Sequence, residues 1–461
     1  MWKNIFFIFF IPIIIILSII SVFNFYIDPY HLTTAEGKTG LNRSRVYSAD
    51  RERALKPLKY LKAKPEVVIL GNSKSAFSIN PDKAAEILNL KDGFNLSVRS
   101  ATPTEIYELL KFSVHKNENL KHIIICLDFE MMGQDELYKP GFSTSLLNYG
   151  YLPAEERFAS VLSLSTFCDS VETIRANNKN NLPIIYKENG EISTEYLDSL
   201  FKKEGYFNRN SDIAFIEYSL VEKDDKKKSN YIKNYERDML KLYEIKDFLL
   251  SNNISYTVII LPLHNNQLTA LNNNFYAAFK KQIKEIFPGI YDLSLADTVD
   301  KDLYYDAAHP KKFFTEKLLK KIFANEKIEN AEFKPNNNLA KGERFFGEVK
   351  TDNSIKVNLL SIDTKLLKYD ALHFTGDANI ESADAYFLVE NDNEKFLFKA
   401  TRYGEAKSQN IFNIITKKYE RYYLDGRGLT DNLPSGKYFV YLGVLKDNIF
   451  ITDGVKVEFT L

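Results

Sequence analysis

The chain has 461 residues, more than one hydrophobic core usually serves, so two domains are expected. Apolar residues make up 45% and charged ones 26%, which excludes a disordered chain. The 61 basic residues balance the 61 acidic ones, and no basic cluster interleaves with aromatics, so no nucleic-acid partner is expected.

The first element is apolar. Ile5 to Ile27 holds 23 residues without a charge, interrupted only by Pro12, Ser18, Ser21 and Asn24. As a helix it would measure about 35 Å, enough to cross a bilayer. It is longer than the core of a cleaved signal peptide, and VFNFYIDPY offers no small-x-small cleavage site. An uncleaved signal anchor over residues 1–27 is expected. Lys3 favours a cytoplasmic N-terminus, which puts the rest of the chain on the extracytoplasmic side, periplasmic or at the cell surface. The reverse orientation is the alternative.

Beyond a polar, basic stretch, EVVIL (66–70) reads as a buried strand and PDKAAEILNL (81–90) as a helix with proline in its first turn. GFNLS is a short strand, and TPTEIYELLKFSVH a helix opened by a threonine cap. HIIICLDF (122–129) is a further strand. Cys126 within it reads as a buried thiol, which Cys168 would join only if the fold brought the two together. Residues 140–230 are too long for an ordinary crossover and read as an insertion over the carboxyl edge of the sheet. Inside them Glu222–Lys228, EKDDKKK, reads as a solvated loop.

A long helix over 231–253 then leads into the strand SYTVIILPL (255–263). The helix NFYAAFKKQIKEIF, the strand IYDLS (290–294) and the helix KKFFTEKLLKKIF (311–323) complete the set. Strands that are apolar throughout, alternating with helices, imply an α/β domain over 28–330, a three-layer parallel sheet covered on both faces. After the linker PNNNLAKGE, short alternating runs imply a C-terminal antiparallel β-sandwich over 336–461. Aromatics in RYGE, ERYYLDG and KYFVYLG suit either a carbohydrate-binding surface or a core.

Gly71-Asn72-Ser73 directly follows the strand 66–70, and ligands of parallel α/β sheets gather beyond the carboxyl ends of strands. Ser73 is either a nucleophile displayed there or a capping serine in a βα turn. A nucleophile needs a base, and the base an orienting group. Asp-x-x-His occurs three times, at His31, His309 and His373. His31 falls beside the anchor, and Asp370 and His373 would point to opposite faces of a strand. Only Asp306 and His309 share a loop before the closing helix, where the carboxylate can hold the imidazole toward Ser73. His264, after the strand 255–263, reads as a second base, as a substrate-binding residue or as one that satisfies its own loop. Arg99 reads as an anion-binding or a salt-bridged residue. No metal-ligand spacing occurs, and neither metal nor cofactor is expected.

This placement resembles the SGNH (GDSL-like) hydrolase superfamily over roughly residues 60–325. Gly71-Asn72-Ser73 stands where that family has its Gly-Asp-Ser block, NLSVRSATPTE (95–105) resembles its second block, and Asp306 and His309 match its fifth. The anchor, YIDPY, KPEVVILGNSKSAFSINP and IICLDFEMM further resemble membrane-anchored members of bacterial surface-polysaccharide loci. Those are relatives of alginate O-acetyltransferases and of the D-alanylation protein of lipoteichoic acid. The resemblance implies acyl transfer with Ser73, His309 and Asp306 as the catalytic set, a surface polysaccharide as partner, and a membrane-bound protein as acyl donor. Deacetylation of the same glycan and a non-catalytic envelope role are the alternatives. Two departures stand out. Ser97 and Ser100 occupy the second block's glycine positions, and Asp128 stands where the third block has an asparagine oxyanion donor. Ser97 can still donate its backbone N–H in the second block, but a carboxylate only accepts hydrogen bonds, so either Asn72 or Asn95 replaces the third-block donor, or the enzyme is slow, or the site is not catalytic.

Overall fold

The computed structural model describes residues 2–33, 36–45, 47–179, 183–201, 206–271, 273–336, 341–352, 354–362, 371–378, 385–405, 422–430 and 433–461. The N-terminal helix α1 (Trp2–Ile27) is long and apolar enough to cross a membrane. Its side chains from Phe10 to Ile19 are exposed, whereas Asn24 and Ile27 near its end are buried against the body. His31 lies at its foot, its N–H donated to the Asp28 carbonyl.

The body alternates strands and helices in the expected order: α2 (Glu52–Ala63), β1 (Val67–Leu70), α3 (Ser73–Ser78), α4 (Pro81–Ile87), β2 (Gly93–Asn95), α5 (Pro103–His115) and β3 (His122–Cys126). Local chemistry sets the helix starts. Asn80 caps α4 ahead of Pro81, and Thr102 and Glu105 form a reciprocal capping box on α5. Residues 140–230 fold into α6 (Thr144–Tyr149), α7 (Ala154–Leu162), α8 (Leu164–Lys179), α9 (Thr194–Phe201) and α10 (Tyr206–Lys223). The expectation that this insertion covers only the carboxyl edge needs correction. α7 and α8 pack on α1, and the turn at Asn189 docks on the sheet edge, where its carbonyl accepts the Asn95 N–H. α10 lines the cleft, and the end of α9 brings Phe201 against His309.

The lysine run is a second correction. Glu222 and Lys223 end α10, and Asp224 accepts the Lys227 N–H and so caps α11 (Asp225–Ser251), which makes the run a tight junction between two helices rather than a loop. There follow β4 (Ser255–Ile260), α12 (Asn265–Leu271), α13 (Asn274–Ile286), β5 (Tyr291–Asp292), the short pair β6 (Tyr304–Asp306) and β7 (His309–Pro310), and α14 (Lys312–Phe323).

Strands β1 to β5 form one parallel sheet in the order β2-β1-β3-β4-β5. Alternate side chains serve two cores. Val68, Leu70, Ile123, Ile125, Val258 and Ile260 join residues of α5, α11 and α13 in one cluster. Val67, Ile69, Ile124, Cys126 and Ile259 join residues of α4 and α14 in another. Cys126 is a buried free thiol, and Cys168 is also free. Because the chain steps outward in opposite directions from β1 and β3, their carboxyl ends leave a crevice between them.

The C-terminal part is β-rich. One sheet runs β10 (Val357–Ile362), β11 (Ala371–Ala378), β15 (Tyr422–Leu429), β14 (Thr401–Glu405). The other runs β8 (Glu343–Arg344), β13 (Lys395–Lys399), β12 (Ala385–Glu390), β16 (Lys437–Lys446), β17 (Ile449–Thr460), β9 (Glu348–Thr351). Phe374 and Leu372 of the first share one cluster with Phe387, Phe396, Tyr438 and Val440 of the second. The pairing is antiparallel except that β9 runs parallel to β17. In KYFVYLG the buried Tyr438 belongs to the core, while the side chains of RYGE, and Asp370 beside His373, lie outside the described residues. This module is not detached: Ala371 and Leu429 pack on Ile216 and Leu220 of α10.

Candidate active site

Ser73 is the first residue of α3, immediately past the end of β1. Asn72 caps the helix by accepting the Lys74 N–H at 2.9 Å. Gly71 permits the tight exit from the strand. Its φ is +157°, and a Cβ there would lie 2.4 Å from Ser75 Oγ and 2.9 Å from the Cys126 carbonyl. The opposing group comes from the loop between β6 and β7. Asp306 is fully buried, and its Oδ1 accepts the N–H groups of Ala308 (2.8 Å) and His309 (2.9 Å), which curls the loop back on itself. The same oxygen lies 2.8 Å from His309 Nδ1, and His309 Nε2 lies 3.0 Å from Ser73 Oγ. Residues 236 positions apart thus form a continuous Ser–His–Asp relay, with Nδ1–H donated to the carboxylate and Nε2 accepting from the hydroxyl. The rings of Phe77 and Phe201 flank the imidazole at 4.8 and 5.8 Å between centroids.

The relay opens into a cleft of about 760 Å³. Its walls come from Ser100 and Ala101, from 130–139, and from α10 and the start of α11, including Glu217, Tyr218 and Tyr231. Ser100, at one glycine position of the resembling family, takes φ +52°, the left-handed conformation that glycine favours.

The other expected site residues have different work. Asn95 donates to the carbonyls of Ser75 and Ile79 at 3.0 Å each, so it ties α3 to β2 and offers no donor to the cleft. The Ser97 N–H is taken by Asn95 Oδ1 at 3.2 Å, and its hydroxyl pairs with Ser75. Arg99 is salt-bridged to Glu52, 3.1 Å from its Nε, and also donates to the Ala49 carbonyl. His264 satisfies its own surroundings: Nδ1 accepts the Asn266 N–H at 3.2 Å and Nε2 bonds the Val299 carbonyl at 3.3 Å. Burial lowers its pKa, and Phe207 and Tyr304 pack edge-on against it. It does not line the cleft.

Asp128 is held between Asn72 Nδ2 and Lys74 Nζ, both at 2.8 Å. Asn72 Nδ2 is therefore engaged. That bond uses one of its two N–H groups; the other, on the cleft wall, and the Ser73 main-chain N–H, which has no intrahelical acceptor at the start of α3, are the donors for an oxyanion.

Sequence reading missed Lys74 and Glu130. Lys74 Nζ also reaches Glu130 at 2.6 Å, and Gln267 Nε2 donates to Glu130 at 3.0 Å. Burial alone would lower the Lys74 pKa, but Asp128 and Glu130 together hold it above the ordinary lysine range. Burial, with Asp128 close by, raises the Glu130 carboxyl even though Lys74 opposes it. Both residues stand in quoted runs, GNSKS and CLDFE, and their only sequence signal is a charge placed directly after an apolar strand. Among the described residues no cluster of histidine, cysteine or carboxylates has the geometry to hold a metal. No protein-family model matches the chain, and no curated protein matches it.

Proposed function

We propose that the chain is a membrane-anchored, extracytoplasmic serine acyltransferase of SGNH type that O-acylates, most simply O-acetylates, a cell-surface polysaccharide. The observation that carries this reading is the relay itself, with Ser73 Oγ 3.0 Å from His309 Nε2 and Nδ1 2.8 Å from Asp306. A flavodoxin-like, three-layer SGNH fold belongs to the proposal, supported by the strand order and by a core on each face of the sheet. Ser73 Oγ attacks the acyl carbonyl of a donor ester while its proton passes to His309 Nε2. The imidazolium, held by Asp306, returns that proton to the departing alkoxide and leaves an acyl-serine. A sugar hydroxyl then gives its proton to Nε2 and attacks the acyl carbon, and Ser73 recovers its hydrogen. Transfer rather than hydrolysis rests on the resemblance and on the anchor, which would hold the cleft beside envelope glycans.

A serine-directed fluorophosphonate tests the chemistry. The full chain should be labelled at Ser73, Ser73→Ala should abolish labelling, and His309→Ala should slow it at least about a hundredfold. Labelling of Ser73→Ala at the parent rate would refute the assignment. Acetylated glycan as product, rather than free acetate, distinguishes transferase from esterase.

A further inference from the structure

We propose that the turn joining α7 and α8 is a second membrane contact, seated in the interfacial layer of the bilayer that α1 crosses; the inference rests on the anchor reading of α1. The turn is fixed to the helix at a definite height. Asn24 Nδ2 donates to the carbonyls of Val161 (2.8 Å) and Ser163 (3.2 Å), Ser170 Oγ donates to Asn24 Oδ1 at 3.0 Å, and Phe23 packs on Phe167 with ring centroids 5.3 Å apart.

That height coincides with the expected membrane boundary. A hydrocarbon core about 30 Å thick takes about 20 helical residues, and counted from Ile5 that ends near Asn24. Tyr26 lies just beyond, exposed, with its hydroxyl accepting from Lys38 at 3.0 Å, an arrangement suited to the headgroup layer.

The turn is also built the wrong way round for water. Its apolar side chains are bare: Leu162 is 42% exposed, Leu164 57%, and Phe158, one turn back on the face of Leu162, 61%. Its polar groups are satisfied from within. Asn24 takes two carbonyls, Ser163 and Ser165 pair through their hydroxyls at 2.6 Å, and the Ser165 N–H bonds Ser163 Oγ at 3.2 Å. A loop facing water has no need of internal partners, whereas one entering a lipid interface does. The exposed charges Glu155, Glu156 and Arg157 stand at the opposite end of α7. With α1 as one anchor and this turn as a second, the body is held in a fixed orientation on the membrane and not merely tethered.

Lipid contact is read by single-tryptophan quenching in the full chain, reconstituted into phosphatidylcholine vesicles with and without dibrominated acyl chains. In a Trp2→Phe background, Leu164→Trp and Phe158→Trp are compared with Ile14→Trp on the anchor and Phe346→Trp on the exposed C-terminal module. Both turn positions should be quenched at least about threefold more than Phe346→Trp. Strong quenching of Ile14→Trp with turn positions no different from Phe346→Trp would overturn the inference and leave the anchor intact. A blue-shifted but unquenched turn tryptophan, the mark of a protein partner or a second copy, would overturn it too. An unquenched Ile14→Trp would overturn the anchor reading itself.

Discussion

Lys74 holds two carboxylates beside the candidate nucleophile, with its ammonium 2.8 Å from Asp128 and 2.6 Å from Glu130. Replacing it by methionine would leave the buried Asp128 and the partly exposed Glu130 facing each other without a cation. Lys74→Met should therefore cost about 3–5 kcal/mol of stability. Fluorophosphonate labelling should also slow, because Asn72, which caps α3 at Ser73, is oriented through Asp128. Denaturant titration with the labelling rate checks both, and an unchanged midpoint would show that Lys74 carries no such load. Ser73, Asp306 and His309 were legible in the sequence because each is placed by local means, a strand end for the serine and a three-residue curl for the pair. The roles of Asn95 and Arg99 were not, since the groups that engage their side chains are distant: Asn95 reaches the carbonyls of Ser75 and Ile79, and Glu52, the partner of Arg99, lies 47 positions away. No local pattern tells a side chain which distant group will reach it first.

Between β3 and β4 a single side chain does the work of several backbone bonds. His122 bonds Ser255 Oγ through Nδ1 (2.8 Å) and Thr257 Oγ1 through Nε2 (3.0 Å), and burial lowers its pKa from the ordinary 6.5 to about 4. From pH 6.5 down to about 4 the unfolded chain binds a proton that the folded chain refuses. The stability due to neutral His122 is thus complete above 6.5, falls through that window and is gone below about 4. The loss should be about 2–3 kcal/mol, and His122→Gln should flatten the fall in thermal midpoint between about pH 7.5 and about pH 4.5. Equal slopes in parent and variant would refute the role. The strands themselves were readable, because apolar runs buried on both faces leave little choice of conformation. The start of α11 was not: four charges in succession suggest solvent, and that Asp224 closes a helical turn depends on geometry that composition does not carry.

At the scale of the whole chain, the linker PNNNLAKGE at 335–343 suggests a module merely appended to the α/β domain. Contacts across α10 argue otherwise. One face of α10 lines the cleft with Ala214, Glu217 and Tyr218, and the other buries Ile216 and Leu220 against the module. Deleting residues 336–461 should therefore bare that apolar face, lower the thermal midpoint and slow labelling of Ser73 in a folded truncation. Labelling at the parental rate would restore the detached-module view. The same long-range packing explains why the parallel sheet and the β-rich C-terminal part were legible but their join was not: Ile216 and Ala371 are far apart in sequence and neither is unusual in its own segment. α11 adds a mechanical consequence. Its 27 residues make a rod about 40 Å long, packed in the core from Tyr231 and Tyr235 through Leu242, Ile245 and Leu249, so that only its first turn, with Lys227, stands exposed at the rim of the cleft. A beam supported along nearly its whole length barely bends, so α11 braces that wall of the cleft instead of gating it.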